Sequence, residues 1–252
     1  MQGWNIFIHS MRMVFDNLAA ALRISLVLYL ISTVAAIYFA QKYGTTIAHM
    51  QDGVGIMPPA GFWLTSLAVA VINLLTSLWI AVGWHRYILL EEAPAGFLPV
   101  FKGDRIGAYF WKSLLIGLIL VVVALIVGAI AGTIILGLTG TSSTLLLNIA
   151  IAAPSFYIFY RLCLTLPSAA LGGQFGFSDS WQATKPASAT ILQLVIIGLC
   201  AVFLVQLPSS FSDDPTSMIN IIYSHVLGWF IMMGGVSILT TLYGIYFEGR
   251  KL

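Results

Sequence analysis

The residues able to do chemistry are few, and they gather in three places. The first is Trp84-His85-Arg86-Tyr87-Ile88-Leu89-Leu90-Glu91-Glu92, which puts an imidazole, a guanidinium and two carboxylates within nine positions. On a helix His85 shares a face with Leu89, and Tyr87 with Glu91. Arg86 is placed to pair with Glu91 or Glu92, or with charges on neighbouring helices. Such a set suits recognition of a lipid headgroup or a small polar ligand. Catalysis would need His85, Glu91 and Glu92 to converge in one pocket. The same residue types also make a plain interfacial belt, with Trp and Tyr at headgroup depth, Arg snorkelling and the acids in water.

The second place is Tyr157…Tyr160-Arg161-Leu162-Cys163-Leu164-Thr165-Leu166-Pro167. Arg161 is embedded in apolar sequence, and a cation at bilayer depth costs about 2.5–3.5 kcal/mol on insertion scales. It is therefore expected to snorkel or to pair with Glu91, Glu92, Asp104 or Asp179. That pair would either organise a ligand site or pin the second and fourth spans. Pro154 predicts a kink upstream of it. The third place is Phe177-Ser178-Asp179-Ser180-Trp181-Gln182-Ala183-Thr184-Lys185-Pro186. Here Ser178 or Asp179 caps a short helix, Trp181 anchors it in the interface and Pro186 ends it. The candidate ligand-binding or structural charge cluster is therefore His85, Arg86, Glu91, Glu92, Arg161 and Asp179.

Beyond these, the chain holds no His-Glu-x-x-His, P-loop, Gly-x-Ser-x-Gly or paired-carboxylate motif. The reading is of no enzyme, with no catalytic residue, no cofactor and no metal site. His49 and His225 are the one histidine pair placed to meet on the side opposite the charge cluster, a weak haem arrangement. Cys163 and Cys200 sit in apolar runs and act as small hydrophobes. Asn73, Asn148, Gln193 and Gln206 are the deep polar residues, and no Asp, Glu or Lys lies deep in a span. Ion-coupled transporters carry such groups, so their absence counts against one.

What positions these residues follows from composition. The 252 residues are 60% hydrophobic and 8% charged, with a net charge of +2 and a mean hydropathy of +0.98. A soluble domain carries about 25% charged residues, so a soluble enzyme, a disordered chain and a nucleic-acid binder are all excluded. Six apolar runs reach the roughly 20 residues that cross a bilayer: near 24–41, 62–84, 113–138, 145–166, 189–207 and 221–247. The third is long enough to tilt or to rise out of the bilayer.

Ahead of them, residues 1–23 place Trp4, Phe7, Met11, Val14, Leu18 and Leu22 opposite Asn5, His9, Arg12, Asp16 and Arg23. That pattern is an amphipathic helix lying in the interface. The fold class is thus all-α: a polytopic membrane protein of six transmembrane helices in three hairpins, plus the N-terminal interfacial helix, in one transmembrane domain. The start Met-Gln-Gly-Trp-Asn predicts neither a cleaved signal peptide nor lipidation.

In a six-span threading, ten of the eleven Lys and Arg share one side, and only Lys42 lies on the other. The positive-inside rule then puts both termini in the cytoplasm. The opposite side keeps a loop from Lys42 to Gly61, a turn from Gly137 to Thr144 and an acidic loop with Asp213-Asp214-Pro215. Charged stretches led by Phe15, Phe101 and Phe177 recur about every 80 residues, which reads as three parallel hairpin repeats. Gly128-x-x-x-Gly132 predicts close helix packing, within the bundle or between copies.

The Trp84-His85-Arg86-Tyr87…Leu89-Leu90-Glu91 stretch resembles an uncharacterised proteobacterial six-helix inner-membrane protein family that carries a "WHRxxLLxE"-like element. The stretch Arg161…Leu166-Pro167…Trp181…Thr184-Lys185 is similar to the membrane domain attached to some glycerophosphodiester phosphodiesterases. The resemblance implies a six-span bacterial inner-membrane protein. The metal-binding carboxylates of the phosphodiesterase have no counterpart here, so it implies no such activity.

Without a catalytic set, a deep ionisable path or a sizeable extramembrane loop, the expectation is a non-enzymatic accessory, scaffold or assembly subunit. It would contact membrane lipids, other integral membrane subunits or itself, and no nucleic acid. The alternative is a carrier or binding protein for a lipid or small polar molecule, with its site on the cytoplasmic face.

Overall fold

The structure is a computed structural model that describes residues 2–53, 55, 57–94, 96–141, 143–210 and 218–251. The acidic turn at Asp213-Asp214-Pro215 lies outside the described residues. The elements are α1 (Gln2–Asp16), α2 (Leu18–Gln51), α3 (Phe62–Leu90), α4 (Gly103–Thr139), α5 (Thr144–Leu162), α6 (Thr165–Leu171), α7 (Phe177–Thr184), a 3₁₀ turn (Lys185–Ala187), α8 (Ser188–Ser210) and α9 (Met218–Tyr246). No strand occurs among the described residues.

Six helical segments are long and apolar enough to cross a bilayer: Leu18–Met50, Phe62–Leu90, Gly103–Thr139, Thr144–Leu171, Phe177–Pro208 and Ile219–Tyr246. The chain is an all-α, multi-pass membrane protein. The helices outrun the apolar runs because a helix does not stop where hydrophobicity does; Arg23 and Arg105 continue it into the polar zone.

The N-terminal helix is shorter than residues 1–23. Asn17 breaks it: the side-chain amide of Asn17 donates to the Met13 carbonyl at 2.9 Å, and the backbone turns there. Leu18 to Arg23 belong to α2. The buried stripe of α1 is Gly3, Ile6, Ser10 and Val14; of the expected apolar face, Phe7 and Met11 flank it half-buried against the core, while Trp4 and Leu18 are exposed. Small residues decide the rotation. A Cβ on Gly3 would stand 2.8 Å from Gln193 Cβ of α8, and Ser10 donates to Thr241 of α9 at 2.9 Å. Close approach at those two points turns Trp4 outward.

Burial divides the molecule into two halves. At one end, here called the basic end, α2 starts, α3 ends, α4 starts, α5 ends, α8 starts and α9 ends. Core residues Ile24, Ile80, Trp84, Ile116, Leu164, Ile191, Leu194, Met233 and Leu242 all lie in that half. In the opposite half, no residue of 117–139, 143–159, 196–208 or 219–228 is buried. The first hairpin, α2–α3, closes its own tip there with Tyr43 edge-on to Phe62 at 5.2 Å. The second, α4–α5, packs Gly128 against Ile151 and Gly132 against Leu147, so the small-residue face is used inside the bundle. In the third, α8 and α9 barely touch. The amphipathic α1 bridges their basic ends instead.

Candidate functional site

At the basic end every residue from Tyr160 to Ala170 is buried. The fourth span breaks inside this stretch, at Cys163 and Leu164, and not at Pro154, through which α5 runs on. Pro167 is the reason. It has no N–H to give and its ring crowds the carbonyl four residues back. The Cys163 carbonyl accepts from Leu166 instead, at 3.0 Å. The break frees the Arg161 carbonyl, and α7 supplies its donor, Ser180 Oγ at 2.8 Å.

The Arg161 side chain is 2% exposed and has no carboxylate partner among the described residues, so the expected pairing with Glu91, Glu92, Asp104 or Asp179 does not form. Its guanidinium lies over the Trp181 ring, 4.2 Å from the centroid. It donates to the Trp181 carbonyl at 2.8 Å, to Ser188 Oγ at 2.7 Å and to the Tyr157 hydroxyl at 3.4 Å, while Nε has no partner. A π face and the carbonyls near a helix C-terminus replace the counter-ion. Asp179 is occupied at the other end of α7, where its carboxylate accepts from the Gly176 N–H at 2.8 Å. The N-cap of α7 is therefore Gly176, not Ser178 or Asp179.

His85 and Trp84 are not at the interface. Both are fully buried. Trp84 Nε1 donates to Ser237 Oγ at 2.9 Å. Thr240 gives its proton to the Val236 carbonyl at 2.9 Å, so it accepts from His85 Nδ1 at 2.8 Å. Nε2 is then left to accept from the Tyr109 hydroxyl at 3.4 Å. Both ring nitrogens are engaged, and no free base remains. Glu91 ends α3 in the left-handed region, with φ of 56°, and its side chain is exposed. His85, Glu91 and Glu92 do not converge.

Arg86 and Glu92 do meet, at 2.6 Å, and Lys102 reaches the other carboxylate oxygen at 2.8 Å. The Lys102 ammonium, helped by Arg86 and opposed by partial burial, holds the Glu92 carboxyl below its ordinary range. Arg86 also donates to the Ala170 carbonyl at 3.0 Å, capping α6. The cavity beside this triad measures about 20 Å3, the size of one water. His49 and His225 make no contact: His49 is exposed on α2, and the His225 carbonyl is taken by the Tyr29 hydroxyl at 2.7 Å.

A larger space lies where no candidate residue was expected. Between α5, α8 and α9, under Phe7 and Met11 of α1, an apolar slot of about 300 Å3 runs along the helices. Tyr160 supplies its one side-chain polar group. Sequence reading quoted Tyr160 only as a neighbour of Arg161; the signal it missed was glycine on both facing helices, Gly198 and Gly235. No family model, curated protein or solved structure matches the chain.

Proposed function

We propose that this chain is a non-enzymatic accessory, scaffold or assembly subunit of a bacterial inner membrane, with both termini in the cytoplasm. The split in burial carries the reading. A self-sufficient bundle packs its helices along their whole length, whereas here the opposite half buries little beyond the tip of the α2–α3 hairpin. The α4–α5 hairpin projects from it with Leu118, Val122, Leu125, Ile126 and Ile130 exposed. Helices of other subunits, or of a second copy, would supply the missing faces. Association in lipid rests on such packing, because apolar burial alone gives no drive there.

The charge cluster supports this reading over a carrier of polar molecules. Arg86 and Lys102 share the Glu92 carboxylate, Arg161 is enclosed by its own helices, and the space beside the triad is too small for a headgroup. Native mass spectrometry of the full chain, extracted from its own membrane in a mild detergent, tests the proposal. Stoichiometric co-purification of membrane subunits, or a defined homo-oligomer, is expected. A lone monomer sinks it. Protease accessibility of tags on both termini, in inverted against right-side-out vesicles, tests the orientation.

A further inference from the structure

The slot between α5, α8 and α9 is bounded by Val195 and Val205 on α8 and by Leu227 and Ile238 on α9. At 1.5 Å per residue that is a channel of about 16 Å. Its length and its apolar lining suit one hydrocarbon chain. Two glycines make the room: nothing stands within 4 Å of a Cβ placed on Gly235, and at Gly198 only the Tyr160 hydroxyl does, at 3.9 Å.

The Tyr160 hydroxyl is the deciding feature. Tyr160 is 7% exposed, lines the slot, and its hydroxyl makes no hydrogen bond among the described residues. The hydroxyl opens onto the slot, where the walls are apolar and only an acceptor on the occupant can pair with it. Its location facing Gly198 leaves seven residues of α8, about 10 Å, of apolar wall between it and Val205 at the opposite end. No charged side chain lines the space, so a charged group drawn in would be unpaired and heavily penalised.

We infer that the slot is a binding site for an uncharged lipid: one carbonyl or ester oxygen accepts from the Tyr160 hydroxyl, and one hydrocarbon chain runs along Gly198 and Gly235 toward the opposite end. Phe7 and Met11 of α1 close the basic end above the acceptor. Met11 is seated in the notch at Gly234, where a Cβ would come within 2.6 Å of its Cε. The N-terminal helix thus doubles as the roof of the site. The inference is independent of the accessory role, since a chain in the slot leaves the outer faces of α4 and α5 free.

The test uses the full chain, delipidated in detergent and titrated with mixed micelles carrying, in separate arms, a diacylglycerol, an isoprenoid quinone, a long alkane or phosphatidylglycerol. Native mass spectrometry counts the molecules retained. One neutral carbonyl lipid per chain is expected, and the diacylglycerol and quinone arms identify which. Gly198→Leu and Gly235→Leu fill the channel and are expected to abolish retention. Tyr160→Phe keeps the shape and is expected to weaken retention about three- to tenfold, one hydrogen bond expressed as an affinity ratio. Equal retention of phosphatidylglycerol or the alkane overturns the inference, as does unchanged retention in the leucine variants. If those variants fail to fold, unchanged retention by Tyr160→Phe alone overturns it. Loss of protein partners with lipid retained would instead refute only the accessory role.

Discussion

The two halves of this protein are built from the same residue types and follow different rules. In the basic half, α3, α4 and α9 pack on the buried segment from Tyr160 to Ala170, and polar groups are satisfied across helices: Trp84 on Ser237, His85 on Thr240, Trp229 on Ser25. In the opposite half, α4, α5, α8 and the start of α9 bury no side chain among the described residues outside 209–218. Apolar sequence therefore does not by itself make a core in lipid. Small residues and cross-helix hydrogen bonds do, because lipid tails compete on equal terms for every leucine and isoleucine.

The largest contrast should come from matched truncations in the two halves. Trp84→Ala leaves a large cavity and strands Ser237, and is expected to cost about 3–5 kcal/mol. Leu125→Ala, on the exposed face of α4, is expected to cost less than about 0.5 kcal/mol. Equilibrium unfolding in mixed micelles measures both. Equal losses would mean that the open half is closed by a partner under the conditions used, and would erase the distinction between the halves.

Arg161 tests whether the basic half depends on its enclosed cation. Arg161→Leu removes the hydrogen bonds to Trp181 and Ser188 and the contact with the Trp181 ring, and should cost about 2 kcal/mol. Arg161→Lys should recover little of that, since an ammonium lacks the planar fork that stacks and donates in two directions at once. Full rescue by lysine would show that only charge matters there.

A smaller effect is expected at Gly172, which ends α6 at φ of 92° with the Arg105 guanidinium packed where a side chain would stand. Gly172→Ala should cost about 1–2 kcal/mol from the left-handed backbone alone, read as a lower melting temperature. Smallest of all is the Arg86–Glu92–Lys102 tie between α3 and α4. Because the folded carboxyl titrates lower than the unfolded one, its stabilisation is complete above the ordinary carboxylate range. It is lost as pH falls through the depressed folded value. Glu92→Gln should lower stability at neutral pH by less than about 1 kcal/mol and should remove that acid-side slope from the unfolding profile.

Much of this was legible beforehand. Six spans, the N-terminal amphipathic helix and the collection of basic residues at one end follow from hydropathy and charge, and the pairing of Arg86 with Glu92 follows from their proximity. The contacts of Arg161 and His85 were not legible. Arg161 was expected to find a carboxylate because a buried cation usually needs one, yet Trp181 and free carbonyls sit twenty residues downstream, brought over by the break that Pro167 imposes. The burial of His85 was masked by its charged neighbours in sequence, but Arg86 stands on another face of α3 and Glu91 lies beyond the helix end.

The amino-acid sequence by itself determined the solvent and the number of crossings, since transfer of charge and apolar surface between water and lipid depends on composition. Only the tertiary structure decided which faces meet, where the core stops and where the slot opens. In water an apolar stripe marks the face to be buried. In lipid nearly every face of α3, α4, α8 and α9 is apolar, so periodicity carries no such mark, and the choice falls to close steric fit at residues such as Gly3, Ser10, Gly128 and Gly234.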